Sequence, residues 1–196
     1  MLLTSSIFMN GVNAQQTLSK NERMKWWQEA RFGMFIHFGV YAQLAGEYNG
    51  HQQARGGAEW IFNRMKIPVG EYKAVAKQFN PVKFDADAWV KTAKDAGMKY
   101  LIITAKHHDG FALFDSKASD WDIMDASPYR KDLLKPLAAA CKKYGVKLGF
   151  YYSQAQDWGN PGGSAARKEM REGWANPDST KIDNYTKEHK GHWDPA

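Results

Sequence analysis

Three points along the chain carry side chains suited to holding a ligand or a metal: His37, the run His107-His108-Asp109, and the pair Tyr151-Tyr152. Successive residues of a strand point to opposite faces, so two adjacent histidines share one pocket only where the strand stops. A barrel hydrolase that binds metal wants His-x-His for two ligands on one face, and His107-His108 has the wrong parity for that. A strand that ends at His107, with His108 turning into the loop, aims both rings at one ligand. The plainer alternative is a pair of strand-end histidines satisfied by backbone hydrogen bonds. A metal set of His37, His107 and Asp109 is a further alternative. His189, His192 and Asp194 sit on a charged tail with Gly191 and Pro195, which reads as solvated loop rather than as a metal site.

The elements that position these residues follow a regular punctuation. Ser19 and Glu22 form a capping box for a helix running through Trp26 and Trp27 to about Ala30. Residues 32–38 are a short apolar run bounded by glycine, as expected of a buried strand. Asp85 caps a helix with Trp89, Ala93 and Ala96 at helical spacing, and Gly97 stands where a terminating glycine belongs. Residues 100–105 then read as a strand covered on both faces. The pattern repeats with a helix stripe of Leu134, Leu137, Ala138 and Cys141, then Gly145, then a strand over 146–152. Helix, glycine, strand and long polar-aromatic loop in alternation predict an α/β fold with a parallel sheet. No Gly-x-Gly-x-x-Gly follows a strand, which removes support from a dinucleotide-binding sheet. His37, His107-His108 and Tyr151-Tyr152 each fall at the C-terminal end of an expected strand, where (β/α)8 barrels build their sites. Only three to four β/α units are visible, so the expectation is the N-terminal half of such a barrel.

Composition narrows the function classes. The 196 residues are 43% hydrophobic and 24% charged, which excludes a disordered or collagen-like chain. No apolar run is long enough to span a bilayer as a helix. The single Cys141 allows neither an intrachain disulfide nor a cysteine-based zinc site. Net charge is +6, and much of the excess lies in residues 130–147, where Arg130, Lys131, Lys135, Lys142, Lys143 and Lys147 face only Asp132. This reads as the solvent face of an amphipathic helix. Without an arginine-rich run, an RNA-binding aromatic motif or zinc-finger spacing, no nucleic-acid partner is expected. Eight Trp, nine Tyr and ten Phe are many for this length, and suit either a large aromatic core or a pocket that stacks rings on its ligand.

Four motifs in order make the chain recognisable: Arg31-Phe-Gly-Met-Phe-Ile-His-Phe-Gly39, Glu59-Trp60, Lys106-His-His-Asp-Gly-Phe111 and Gly149-Phe-Tyr-Tyr-Ser153. Together they resemble the N-terminal half of the catalytic domain of retaining α-L-fucosidases, glycoside hydrolase family 29, over roughly residues 20–160. The resemblance implies that His37, Glu59, Trp60, His107, His108 and Tyr151 line a fucose pocket, with His37 bonded to sugar hydroxyls. The chemistry is apt. A neutral imidazole offers one donor and one acceptor to a hydroxyl-rich ligand. Trp and Tyr rings cover the apolar face and methyl group of a deoxy-sugar. The resemblance further implies a fucosylated glycan as substrate and neither metal nor organic cofactor.

One part of the family pattern has no counterpart. A retaining glycosidase uses two carboxyl groups about 5–5.5 Å apart, one nucleophile and one acid/base. The family's nucleophilic Asp lies at the end of its fourth strand in an aromatic-rich motif, and neither that motif nor a later acid/base is found by residue 196. Both are expected beyond it. Asp109, Asp115 and Asp157 fit loop-capping or supporting roles, and Glu59 is the sole in-chain candidate for acid/base work. The expected activity is therefore an exo-fucosidase whose catalytic carboxylates lie outside this stretch. A carbohydrate-binding fragment without catalysis and a metal-dependent hydrolase are the alternatives. Residues 1–14 resemble the later part of a secretory signal peptide, with a small-x-small pattern at Val12-Asn13-Ala14, which predicts export and leaves 15–196 as barrel domain.

Overall fold

The computed structural model describes residues 19–159, apart from residues 55 and 155. The expected signal remnant and the His189, His192 and Asp194 tail lie outside these residues. The chain divides into two compact units, one reaching to Arg31 and one starting at Phe32.

The described part of the first unit is helix α1, Lys20–Ala30. The Ser19 hydroxyl accepts from the Glu22 backbone N–H at 3.3 Å, and the Glu22 carboxylate accepts from the Ser19 N–H at 2.8 Å. Both halves of the capping box are thus present, and Arg31 ends the helix with φ of 53°. No residue of α1 is buried.

The second unit runs β1 (Gly33–Ile36), α2 (Tyr41–Leu44), the hairpin β2 (Glu47–Tyr48) and β3 (His51–Gln52), a 3₁₀ turn (Ala58–Trp60), α3 (Ile61–Arg64), α4 (Val69–Ala76), α5 (Ala86–Asp95), β4 (Tyr100–Lys106), α6 (Leu134–Tyr144) and β5 (Lys147–Tyr152). β1, β4 and β5 form one parallel sheet in that spatial order, so each new strand is added beside the last. This is an α/β fold with helical crossovers, as the alternating pattern predicts.

Local signals explain the crossovers. The Asp85 carboxylate accepts from the Ala88 N–H at 2.9 Å and caps α5, whose Val90 and Ala93 are fully buried. Asp132 does the same for α6, accepting from the N–H groups of Leu134 and Lys135 at 2.8 and 3.0 Å. Gly97 and Gly145 end the two helices with φ of +83° and +67°, conformations that cost glycine little. The buried stripe of α6 is Leu134, Leu137, Ala140 and Cys141. Ala138, expected on that stripe, is exposed, because the helix turns its 137/140/141 edge to the sheet. The α6 lysines are solvated, and Lys143 pairs with Asp87 on α5.

Register sorts the sheet residues by face. Phe35, Ile102 and Gly149 stand in one row, and Thr104 stands beside Tyr151. Leu101, Ile103 and Ala105, on the other face of β4, are buried in the core. The strand expected to be buried over 32–38 is shorter and less covered than that: β1 spans four residues, and Phe35 is 50% exposed.

Between β1 and α5 the chain adds Val40, Ile61, Phe62, Ile67, Tyr72, Val75, Ala76 and Phe79, all buried, to the same core as the sheet and the crossover helices. The Phe62 and Tyr72 rings stack at 4.1 Å. Two short elements of this segment, the 3₁₀ turn and α3, carry Glu59 and Trp60 toward the ends of the strands.

Candidate active site

The C-terminal edge of the parallel sheet gathers the side chains singled out in the sequence. His37 follows the last residue of β1, His107 and His108 follow the last residue of β4, and Tyr151 is the penultimate residue of β5. The parity problem at His107-His108 is solved by the end of the strand, since β4 stops at Lys106 and His108 already stands in a turn. The ladder between β4 and β5 shifts register between Thr104 and Lys106, and the strand stops there. Both rings then turn to the same side, 4.2 Å apart between centroids and 5.6 and 6.1 Å from Tyr151. His37 lies 5.5 Å from His107 and 6.4 Å from Tyr151.

Trp60 closes a second side, edge-on to His108 at 5.2 Å. It packs on Trp158 at 5.0 Å, and the Arg64 guanidinium stands 5.5 Å from its ring centre. Trp158 also meets His108 at 5.2 Å. Glu59 is half-buried at the same corner. All six expected residues are therefore near one edge. His107 is the deepest of them and His37 is exposed.

The strand ends are held by polar contacts that the sequence patterns did not reveal. The Thr104 hydroxyl donates to the Phe38 carbonyl at 3.1 Å. It accepts from the Phe38 N–H at 3.1 Å and from the Tyr41 hydroxyl at 2.9 Å. These bonds fix the segment that carries His37. Tyr41 in turn lies 5.6 Å from His107. Lys106 pairs with Asp157 at 3.0 Å and donates to the Ser153 carbonyl at 2.9 Å. The Trp158 N–H donates to the His108 carbonyl at 2.7 Å. Ser153 was legible only as the last residue of its motif, and Trp158 not at all.

Burial sets the charge of the site. Desolvation, with smaller contributions from the nearby His108 and His37, lowers the His107 imidazole to about 3. Desolvation and the Lys106 ammonium bring His108 down to about 4, with Glu59 partly opposing them. Both rings are neutral at any ordinary working pH, so each carries a single N–H and a single lone pair.

Asp109 does not face this cluster as a ligand. It is fully buried, and burial raises its carboxyl to about 7. The Tyr72 hydroxyl donates to its Oδ2 at 2.8 Å and the Phe111 N–H to Oδ1 at 3.3 Å. Its role is to hold the loop after β4, which Trp121 also braces through a 3.0 Å bond to the Asp109 carbonyl. Asp115 bonds Lys117 and receives no support from the site. Among the described residues no group of three or more His, Cys, Asp or Glu stands close enough to hold a metal ion, so His37, His107 and Asp109 do not form a ligand set.

Comparison with known proteins decides the family. A family model described as alpha-L-fucosidase matches residues 10–194. The chain belongs to the alpha-L-fucosidase family. The rat tissue alpha-L-fucosidase is 35% identical over 143 residues, covering 70% of this chain and 30% of that protein. Unliganded alpha-L-fucosidase AlfC from Lactobacillus casei is 46% identical with a TM-score of 0.71, over 76% of this chain and 44% of that one. AlfC in complex with α-L-fucose product is 40% identical with a TM-score of 0.72, over 86% and 55%. The chain thus spans about a third of the length of the curated fucosidases it matches.

Proposed function

We propose that this chain supplies a wall of the fucose pocket in an exo-acting α-L-fucosidase that releases terminal α-L-fucose from glycans. The observation that carries this reading is the convergence of His37, His107, His108 and Tyr151 from three parallel strands on one edge, with the two inner imidazoles neutral. In this reading the three strands are consecutive strands of a (β/α)8 barrel, and the C-terminal edge is the barrel's active face. His37, His107, His108 and Tyr151 exchange hydrogen bonds with sugar hydroxyls. Trp60 covers the apolar face of the deoxy-sugar, and Glu59 contacts the ring substituents.

Chemistry follows the two-carboxylate retaining route. One carboxylate attacks the anomeric carbon as an acid protonates the departing glycosidic oxygen, and water then releases the sugar from the covalent intermediate. Both carboxyl groups are expected beyond residue 196, and this chain's part is to bind and orient. The reaction needs no metal, the substrate is a fucosylated glycan, and the protein is exported.

Following 4-nitrophenyl α-L-fucopyranoside hydrolysis by NMR in the protein that carries this chain tests the reading. Fucose should appear first as the α-anomer, at a rate unchanged by chelator. First release of the β-anomer, or loss of turnover on metal removal, contradicts it.

A further inference from the structure

Three groups around Ser153 admit one arrangement of protons. The Ser153 Oγ lies 2.6 Å from the Gln156 carbonyl oxygen, which can only accept, so the single hydroxyl hydrogen is committed there. The same Oγ lies 2.7 Å from Nδ1 of His108. With its hydrogen already used, Oγ can only accept in this second contact, and the hydrogen must sit on Nδ1 of the imidazole. A neutral ring carries one such hydrogen, so Nε2 of His108 is left with a lone pair. The Tyr151 hydroxyl, 3.5 Å away, is too distant to satisfy it fully.

The serine is itself fixed. It is buried, its N–H donates to the Lys106 carbonyl at 2.9 Å, and its own carbonyl accepts from the Lys106 ammonium. Lys106 also grips Asp157, and the Trp158 N–H is bonded to the His108 carbonyl. Residues on both sides of Gln156 are thus tied to the end of β4.

We propose that Ser153 is a positioning residue that holds His108 as its Nδ1–H tautomer, so that Nε2 meets the ligand as a hydrogen-bond acceptor. At that point the site demands a donor, and a hydroxyl is taken where an ether or a carbonyl is refused. The assignment of the tautomer stands on Ser153 alone, whereas the sugar as ligand rests on the function proposed above. The Lys106 ammonium supports the same state by disfavouring a second proton on the ring.

Nitrogen-15 NMR of histidine-labelled protein reads the tautomer directly. In the wild type, Nδ1 of His108 should show a protonated-type shift and Nε2 an unprotonated one. Ser153→Ala should mix the tautomers and weaken L-fucose binding about three- to tenfold, the range set by one lost neutral hydrogen bond. Ser153→Thr, which keeps the hydroxyl, should restore both. An Nε2–H ring in the wild type overturns the proposal, as does a Ser153→Ala protein with unchanged tautomer and affinity. Should Ser153→Ala fail to fold, the wild-type spectrum alone decides. An Nδ1–H ring in a protein that does not bind L-fucose upholds Ser153's role and defeats the fucose reading instead.

Discussion

His107 and His108 are neutral because they are buried beside a lysine and beside one another, and this has consequences for titration. Their NMR midpoints should fall at about 3 and about 4, well below the ordinary histidine value of about 6.5. Midpoints near 6.5 would show that water reaches both rings. The unfolded chain takes up protons on these residues below about pH 6.5, and the native state does not until about pH 4 or lower. Their contribution to stability is therefore complete above about pH 6.5 and is lost as pH falls through that window. Asp109 opposes them, since its native carboxyl keeps its proton up to about 7 and its contribution fades as pH rises. Two histidines outweigh one carboxyl, so the thermal midpoint should fall between pH 6.5 and pH 4.5, as scanning calorimetry can check. At this scale the sequence identified the rings but left their facing open. The strand end foreseen at His107 falls one residue earlier, at Lys106, and the turn that begins at His108 is what lets adjacent histidines serve one site.

Among the elements, the crossover helices and their strands were readable because each is bounded by its own chemistry, Asp85 and Gly97 for α5 and Gly145 for α6. The segment between β1 and α5 was not. Its helices α2 and α3 have four residues each, too short to stand on propensity, and they exist because Tyr41, Ile61 and Phe62 are buried. Thr104 is the link between this segment and the sheet. Thr104→Val keeps the shape but leaves the Tyr41 hydroxyl and the Phe38 N–H without their acceptor. A loss of about 1–3 kcal/mol in denaturant unfolding is expected for such an orphaned group, together with weaker fucose binding through His37. An unchanged midpoint and affinity would show that the bond does not hold the His37 segment.

At the scale of the molecule, the described sheet keeps large apolar side chains exposed. Phe35 is 50% exposed on one face, and Phe150 and Tyr152 are 54% and 55% exposed at β5. Apolar strands without cover tend to pair with other chains. Residues 15–196 expressed alone should therefore aggregate and melt without a sharp transition. A soluble protein with one cooperative transition would contradict that expectation.

The claim on which the rest depends is that the strand-end rings recognise the sugar and do not merely pack. His37 is the sharpest probe of it, being exposed and outside the core, so its removal should leave the fold alone. The decisive measurement is kcat/KM for 4-nitrophenyl α-L-fucopyranoside in the protein that carries this chain, wild type against His37→Ala, with thermal midpoints recorded alongside. A drop of about three- to tenfold at an unchanged midpoint is the expected result, one neutral hydrogen bond to the sugar having been lost. An unchanged kcat/KM with a midpoint several degrees lower would make His37 a packing residue and contradict the account.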